Sequence, residues 1–137
     1  MARKAKRPTD LELEILKALW EHGEGTVRAV WETLRTQREI VYTTELKTLQ
    51  IMEGKGLVVR DTSQRAHVYR AREGRRATLG RLVDNLLVQA FDGSMAKLLV
   101  HAFERKGLTR EEFEELRTLL ELHGRGERDE GADGAGQ

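Results

Sequence analysis

The chain has 137 residues, of which 39% are hydrophobic and 34% charged, and it carries a formal net charge of +1. The absence of cysteine excludes disulfides and cysteine-ligated zinc and is typical of a protein of the reducing cytoplasm. No stretch approaches the roughly 18 consecutive apolar residues of a membrane-spanning helix, so we expect a soluble, cytoplasmic protein.

The charge is distributed unevenly along the chain. Residues 1–76 contain 16 lysine and arginine residues and 11 acidic residues, whereas residues 77–137 contain 8 and 12. A basic first half followed by an acidic second half favours a head that contacts nucleic acid and a tail that contacts a protein.

Two helices are predicted after a short basic arm. Residues 1–8 form the arm, which is either an extension that contacts phosphates or a solvated tail. Thr9 and Glu12 have the spacing of a capping box, so helix 1 begins there and ends at Gly23. Thr26 is the expected N-cap of helix 2. Apolar residues of helix 2 recur at i, i+3, i+4 and i+7 and define its core face: Val27, Val30, Trp31 and Leu34.

The third predicted helix has two different faces and ends at Gly56. Its apolar residues recur at spacings of four, three and three: Tyr42, Leu46, Leu49 and Met52. Its opposite face carries Thr43, Thr44, Lys47 and Gln50 and no acidic residue. Such a face is either an ordinary solvated surface or a surface that contacts nucleic acid.

A hairpin is predicted directly after this helix. A β-branched run begins at residues 57–59, residues 61–64 have the chemistry of a turn, and residues 66–69 return the chain, with Arg65 at the tip. Three helices followed by a hairpin form a winged helix-turn-helix, whose third helix fits the major groove of DNA, which is about 12 Å wide. A three-helix bundle with an incidental hairpin would not need a basic tip.

Three more helices and a tail complete the prediction, which makes the fold mainly α. Ser94 is the expected N-cap of helix 5, and Thr109 with Glu112 forms a second capping box before helix 6. The apolar stripes of these helices are packed either against each other in a monomer or against a second copy. Residues 124–137 contain five glycines, six charged residues and no large apolar residue, so we expect them to be disordered.

Catalytic and metal-binding patterns are missing from the sequence. The four histidines show no ligand spacing, no glycine loop has the pattern of a phosphate cradle, and no nucleophile is paired with a base. We therefore predict a protein that is not an enzyme and has no cofactor and no metal site.

Several short motifs stand together in the order of a known family. They are Leu19-Trp20-Glu21, Thr26-Val27-Arg28-Ala29-Val30, Tyr42-Thr43-Thr44, Leu46-Lys47-Thr48-Leu49-Gln50, Lys55-Gly56-Leu57-Val58 and His67-Val68-Tyr69-Arg70. Together they resemble the penicillinase-repressor and methicillin-resistance-repressor family (BlaI/MecI), which also includes copper-responsive repressors. The resemblance covers residues 9–123.

The resemblance implies a homodimeric transcriptional repressor that binds a near-palindromic operator of double-stranded DNA. The expected DNA contacts are Thr43, Thr44, Lys47, Gln50 and Arg65. The family dimerises through intertwined C-terminal helices, which implies contacts by Leu82, Leu86, Leu98, Leu99, Phe103, Phe113, Leu116 and Leu120. The resulting domain assignment is a flexible basic arm (1–8), a winged-helix DNA-binding domain (9–74), a helical dimerisation domain (75–123) and the tail (124–137).

Two positions depart from the pattern of the family. Glu45 stands where an apolar residue is usual, so its carboxylate is expected either to neutralise a neighbour or to extend to solvent. Family members that are controlled by proteolysis are cut between an asparagine and a phenylalanine in the fifth helix. The equivalent bond here joins His101 and Ala102, with a membrane sensor metallopeptidase as the implied partner.

Two other functions are compatible with the sequence. Winged helices also serve as protein-interaction modules that never touch DNA, and some relatives respond to metals, although the absence of cysteine argues against that. Binding to duplex DNA that weakens steeply with salt would distinguish a repressor from an interaction module.

Overall fold

The computed structural model describes the backbone of residues 7–135 and the side chains of residues 7–124. Within this part, six helices and three strands follow one another along the chain. They are α1 (Asp10–His22), β1 (Gly25–Thr26), α2 (Val27–Leu34), α3 (Tyr42–Lys55), β2 (Val58–Asp61), β3 (Val68–Ala71), α4 (Arg75–Ala90), α5 (Met95–Arg105) and α6 (Arg110–Ala135). The mainly helical winged-helix prediction is confirmed.

Side-chain caps set the helix starts at the predicted residues. The Thr9 hydroxyl accepts from the Glu12 amide at 3.2 Å, and the Glu12 carboxylate accepts from the Thr9 amide at 2.9 Å. Thr26 caps α2 by accepting from the Ala29 amide at 3.1 Å. The predicted caps of α5 and α6, at Ser94 and Thr109, are formed in the same way.

The sheet has one strand more than the predicted hairpin. β2 and β3 pair antiparallel, with Val58 opposite Ala71 and Asp61 opposite Val68. The two residues of β1 pair with the other edge of β3, so that the strand order is β1-β3-β2. A two-residue strand has no periodicity of its own, and for this reason the sequence did not indicate it.

The chain divides between Leu86 and Leu87 into two compact units, which we call the N-terminal and the C-terminal unit. The core of the N-terminal unit combines residues of α1, α2, α3 and the sheet. Its most buried large side chains are Tyr69, Ile15, Leu16, Leu19, Leu49, Met52 and Glu45. The helical stripes predicted for α2 and α3 therefore face this core, since all of their apolar residues except Trp31 are buried in it or packed against it.

The first turns of α4 belong to the N-terminal unit, which runs to Leu86. Trp20 Nε1 donates to the Glu73 carbonyl at 2.9 Å, and the carboxylate of Glu73 pairs with Arg81. Thr78 is buried. These contacts fix the start of α4 on the N-terminal unit.

The two ends of the chain are described only in part. The helix α6 has its end at Ala135, and the disorder predicted from Gly124 stays a prediction. Residues 1–6 of the predicted arm, and residues 136–137 of the predicted tail, lie outside the described residues.

Candidate nucleic-acid interface

The inner side of α3 is held firmly by the core. Leu49 and Met52 have no exposed surface, and Tyr42 and Leu46 pack against the same cluster. Gly56 ends the helix in the left-handed conformation, with φ of 83°, as its predicted role requires. The outer side of α3 is therefore presented by a rigid support.

A partly buried ion pair connects the end of α3 to the start of α1. The ammonium group of Lys55 lies 2.8 Å and 3.0 Å from the two carboxylate oxygens of Glu12. Glu12 is only 3% exposed and also completes the capping box of α1. One carboxylate thus links the two helices.

The beginning of α3 is fixed by Trp31 of α2. The indole Nε1 donates to the Ile40 carbonyl at 2.8 Å, and the ring packs edge-on against the Tyr42 ring with centroids 5.8 Å apart. The guanidinium of Arg28 lies 5.5 Å from the centroid of the Tyr42 ring, within cation–π range. These contacts hold the turn between the two helices of the helix-turn-helix.

The outer side of α3 carries the predicted DNA contacts. Thr43, Thr44, Lys47 and Gln50 are all exposed. They lie on one face because their spacings of one, three and three residues match the helical repeat. The structure therefore brings these four residues together, with Lys47 near the centre of the face.

The wing carries the fifth predicted contact, Arg65, in the exposed turn between β2 and β3. The turn begins with Asp61, whose carboxylate accepts from the Ser63 amide at 2.9 Å. That hydrogen bond is the main reason that the pKa of Asp61 lies below its ordinary value. Arg60 pairs with Glu53 of α3 at 3.4 Å, so this arginine joins the wing to the helix.

Glu45 behaves differently from both expectations stated for it. Its side chain is fully buried, and neither carboxylate oxygen has a hydrogen-bond partner among the described residues. It therefore neither neutralises a neighbour nor reaches solvent. Desolvation by burial raises the pKa of Glu45 to about 8, so the carboxyl group is mainly protonated at pH 7.

One exposed residue on the outer face of α3 was missed by the sequence analysis. Ile51 follows Lys47 by four residues and Thr44 by seven, and its side chain is 47% exposed. The hydrophobic character of isoleucine suggested no polar contact, but its helical spacing from Lys47 places it on the same face.

The C-terminal unit leaves most of its apolar residues uncovered. Among the predicted dimer contacts that lie in it, Phe103, Phe113 and Leu120 are 47%, 53% and 65% exposed, and Leu98, Leu99 and Leu116 are half-buried. A cleft of about 350 Å³ between α5 and α6 is lined mainly by leucine and phenylalanine: Leu99, Phe103, Leu108, Phe113, Leu116 and Leu120, with Arg117 and Glu121.

The remaining predicted residues lie on α4 and α5. Leu82 is half-buried and Leu86 is 43% exposed on α4, in the N-terminal unit. His101 and Ala102 are exposed on α5, and the His101 ring packs edge-on against Phe91 with centroids 5.8 Å apart.

Two negative findings concern only the part of the chain that the structure describes. There, no group of three or more histidine, aspartate or glutamate side chains is arranged to hold a metal ion. None of the helices in the same part combines the length and apolarity needed to cross a membrane.

Comparison with known proteins agrees with this architecture. A profile of the penicillinase repressor family matches residues 8–122. Two curated relatives, both named transcriptional regulator BlaI, come from Mycobacterium tuberculosis strains CDC 1551 / Oshkosh and ATCC 25618 / H37Rv. The chain is 40% identical to each over 106 residues, which is 76% of this chain and 77% of the relative.

These matches confirm the resemblance found in the sequence. They also confirm the prediction that the chain is not an enzyme, because the relatives are regulators of transcription. Since the profile spans most of the chain, the protein belongs to the penicillinase repressor family of transcriptional regulators.

Proposed function

We propose that the protein is a homodimeric repressor that places α3 of each subunit in the major groove of one operator half-site. The observation that carries the proposal is the outer face of α3, where Lys47 and three neutral polar residues are exposed and held by a buried inner face. These side chains are of the kinds that contact base edges and phosphates. Arg65 on the wing contacts the adjacent backbone.

The two-fold symmetry of the dimer determines the form of the operator. Dimeric helix-turn-helix proteins read half-sites about one helical turn apart or a multiple of it, because the protein and DNA two-folds coincide. The operator is therefore a near-palindrome, and bound repressor blocks the polymerase.

The uncovered apolar surface of the C-terminal unit supports dimerisation. Phe113 and Leu120 expose more than half of their side-chain surface beside an apolar cleft. Contiguous exposed apolar surface marks protein interaction sites, and a second copy offers the same apolar residues in return. Dimerisation therefore lies in α4, α5 and α6.

Relief of repression by proteolysis is part of the same proposal. The bond between His101 and Ala102 lies on the exposed α5, within the dimerising region. A cut there separates the second head from the first without altering α3. A membrane sensor metallopeptidase is the partner protease.

A salt titration with a matched pair of variants tests DNA binding. The DNA is a duplex recovered from a random-sequence pool by repeated selection on the immobilised protein. If Lys47 contacts a phosphate, Lys47→Ala makes the plot of log affinity against log salt less steep by about one unit. If Lys47 contacts a base, the substitution costs about 1–3 kcal/mol of binding free energy and relaxes the preference at one base position.

The control is Lys17→Ala, which removes an exposed lysine of α1 and should leave both slope and affinity unchanged. Equal affinities of the wild type and Lys47→Ala at every salt concentration would remove Lys47 from the interface. If no duplex is bound with salt-dependent affinity, the chain is instead a protein-interaction module.

A further inference from the structure

Ile51 is an aliphatic side chain inside a polar surface. It lies on the outer face of α3, one turn after Lys47, and is 47% exposed. Its neighbours on that face, Thr44 and Gln50, are polar. A single exposed isoleucine is ordinary on most surfaces, but this one lies within the face that the proposed function places against DNA.

The space around Ile51 is open toward the end of the helix. Gly54 is the next residue on this face, and a Cβ atom built on it would meet nothing within 4 Å. The inner neighbour Met52 is fully buried, so α3 cannot rotate to cover Ile51 without exposing the core. The isoleucine therefore remains at the surface in the free protein.

The chemistry of isoleucine restricts what it can contact in the major groove. It has no hydrogen-bond donor or acceptor, so it cannot bind a phosphate or the polar edge of a base. Placing it against such an edge would bury polar atoms without partners. The one apolar group that base pairs present in this groove is the C5-methyl group of thymine.

We propose that Ile51 contacts a thymine methyl group in each half-site and so selects thymine over cytosine at that position. The inference rests on the proposed DNA-binding function. The β-branched side chain suits this role because it is restricted to essentially one χ1 rotamer in a helix, so little rotamer freedom is lost on binding.

Replacement of thymine by uracil tests the contact directly, because uracil lacks only the methyl group. The probe is the duplex recovered by selection, in which each thymine of both half-sites is replaced in turn. For the wild-type chain, we expect one position at which uracil weakens binding about fourfold per half-site, the value of one buried methyl-sized group. At that position, Ile51→Ala binds the thymine and uracil duplexes equally, whereas Ile51→Val keeps the preference.

The ratio of the two affinities separates this role from a structural one. A substitution that only disturbed the helix would weaken both duplexes alike and leave the ratio unchanged. Val83→Ala, which shortens an exposed β-branched residue of α4, is the matched control and should retain the wild-type ratio.

Three results would overturn the inference while the DNA-binding function stands. They are selected half-sites without a fixed thymine, a wild-type chain that is insensitive to uracil at every position, and uracil sensitivity that persists in Ile51→Ala. Failure to bind any duplex is a different result, because it removes the proposed function and this inference together.

Discussion

At the scale of single residues, Glu45 is an ionisable group in an environment that disfavours its charged form. A carboxylate that is buried without a partner loses its hydration and gains nothing in return, so the protonated form is favoured. The residue lies in α3 between Thr44 and Leu46, which means that its charge state acts on the helix that carries the proposed DNA contacts.

The raised pKa of Glu45 makes the stability of the protein dependent on pH. The folded state holds the proton up to about pH 8, whereas the unfolded chain releases it near the ordinary value of 4.5. Unfolding therefore releases a proton between these limits, and this group lowers the free energy of unfolding by about 1.4 kcal/mol per pH unit as pH rises through that window. Its contribution is complete below about pH 4.5 and lost above about 8.

Urea unfolding at a single protein concentration, repeated from pH 5 to pH 8, measures this effect. Glu45→Gln keeps the shape of the side chain without an ionisable group, so its free energy of unfolding should fall less steeply with pH by the stated amount. Glu32→Gln changes an exposed carboxylate of α2 and serves as the control. Parallel curves for the wild type and Glu45→Gln would contradict the raised pKa.

At the scale of elements, Trp31 determines how α2 joins α3. Trp31→Phe keeps an aromatic ring against Tyr42 but removes the hydrogen bond from Nε1 to the Ile40 carbonyl. We expect a loss of about 1–2 kcal/mol in stability, the usual range for a lost hydrogen bond that leaves a carbonyl unpaired. Amide hydrogen exchange should accelerate in residues 35–44 and remain unchanged in the wing.

Trp20 provides the matched comparison, because it makes the same kind of bond elsewhere. Its Nε1 donates to the Glu73 carbonyl at 2.9 Å, before α4. Trp20→Phe should therefore accelerate exchange around residues 73–78 and leave the turn at residues 35–41 protected. If both variants accelerate exchange uniformly, neither tryptophan acts locally.

Most elements of the N-terminal unit could be predicted because their signals are local. Thr9, Thr26 and Gly56 define helix ends through hydrogen bonds or backbone conformation within a few residues. The predicted face of α3 follows from spacing alone. The burial of Glu45 could not be predicted in this way, because it depends on what the rest of the fold packs against that position.

The sequence predicted the polar residues of the candidate site but not its apolar residue. Lys47 and its polar neighbours were found by residue type and helical spacing. Ile51 was not found, because an aliphatic residue in a sequence is normally assigned to the core, and only the structure shows that this one is exposed. The pair between Lys55 and Glu12 joins residues 43 positions apart, and no pattern in the sequence connects them.

At the scale of the whole molecule, the apolar surface of the C-terminal unit is the proposed dimer interface. Leu120→Asp places a charge beside the cleft between α5 and α6. Leu120 is 65% exposed within the subunit, so the substitution should preserve the helix content while it prevents dimerisation. Sedimentation equilibrium should then give a monomer, and operator affinity should fall toward that of one half-site.

Thr118→Asp is the control for this change. It introduces the same charge at an exposed position two residues earlier, on the opposite side of α6, and should remain a dimer. A dimer in the Leu120→Asp variant would locate the interface outside this cleft.

The proposed off-switch depends on how weakly α5 is held. Within one subunit no side chain of α5, which the structure describes in full, is buried, so once the partner's helices have separated, local opening of this helix breaks few packing contacts and costs little free energy. A protease that needs an extended segment therefore reaches residues 98–103 more readily than α3, which the core holds. Once the chain is cut, the second head no longer binds at high effective concentration, and the first dissociates from its half-site faster.

In cells in which the promoter is derepressed, mass spectrometry should detect fragments that end within residues 98–103, with the bond between His101 and Ala102 as the expected site. Intact chains of 137 residues in those cells would exclude cleavage and leave a ligand or a protein antagonist as the switch.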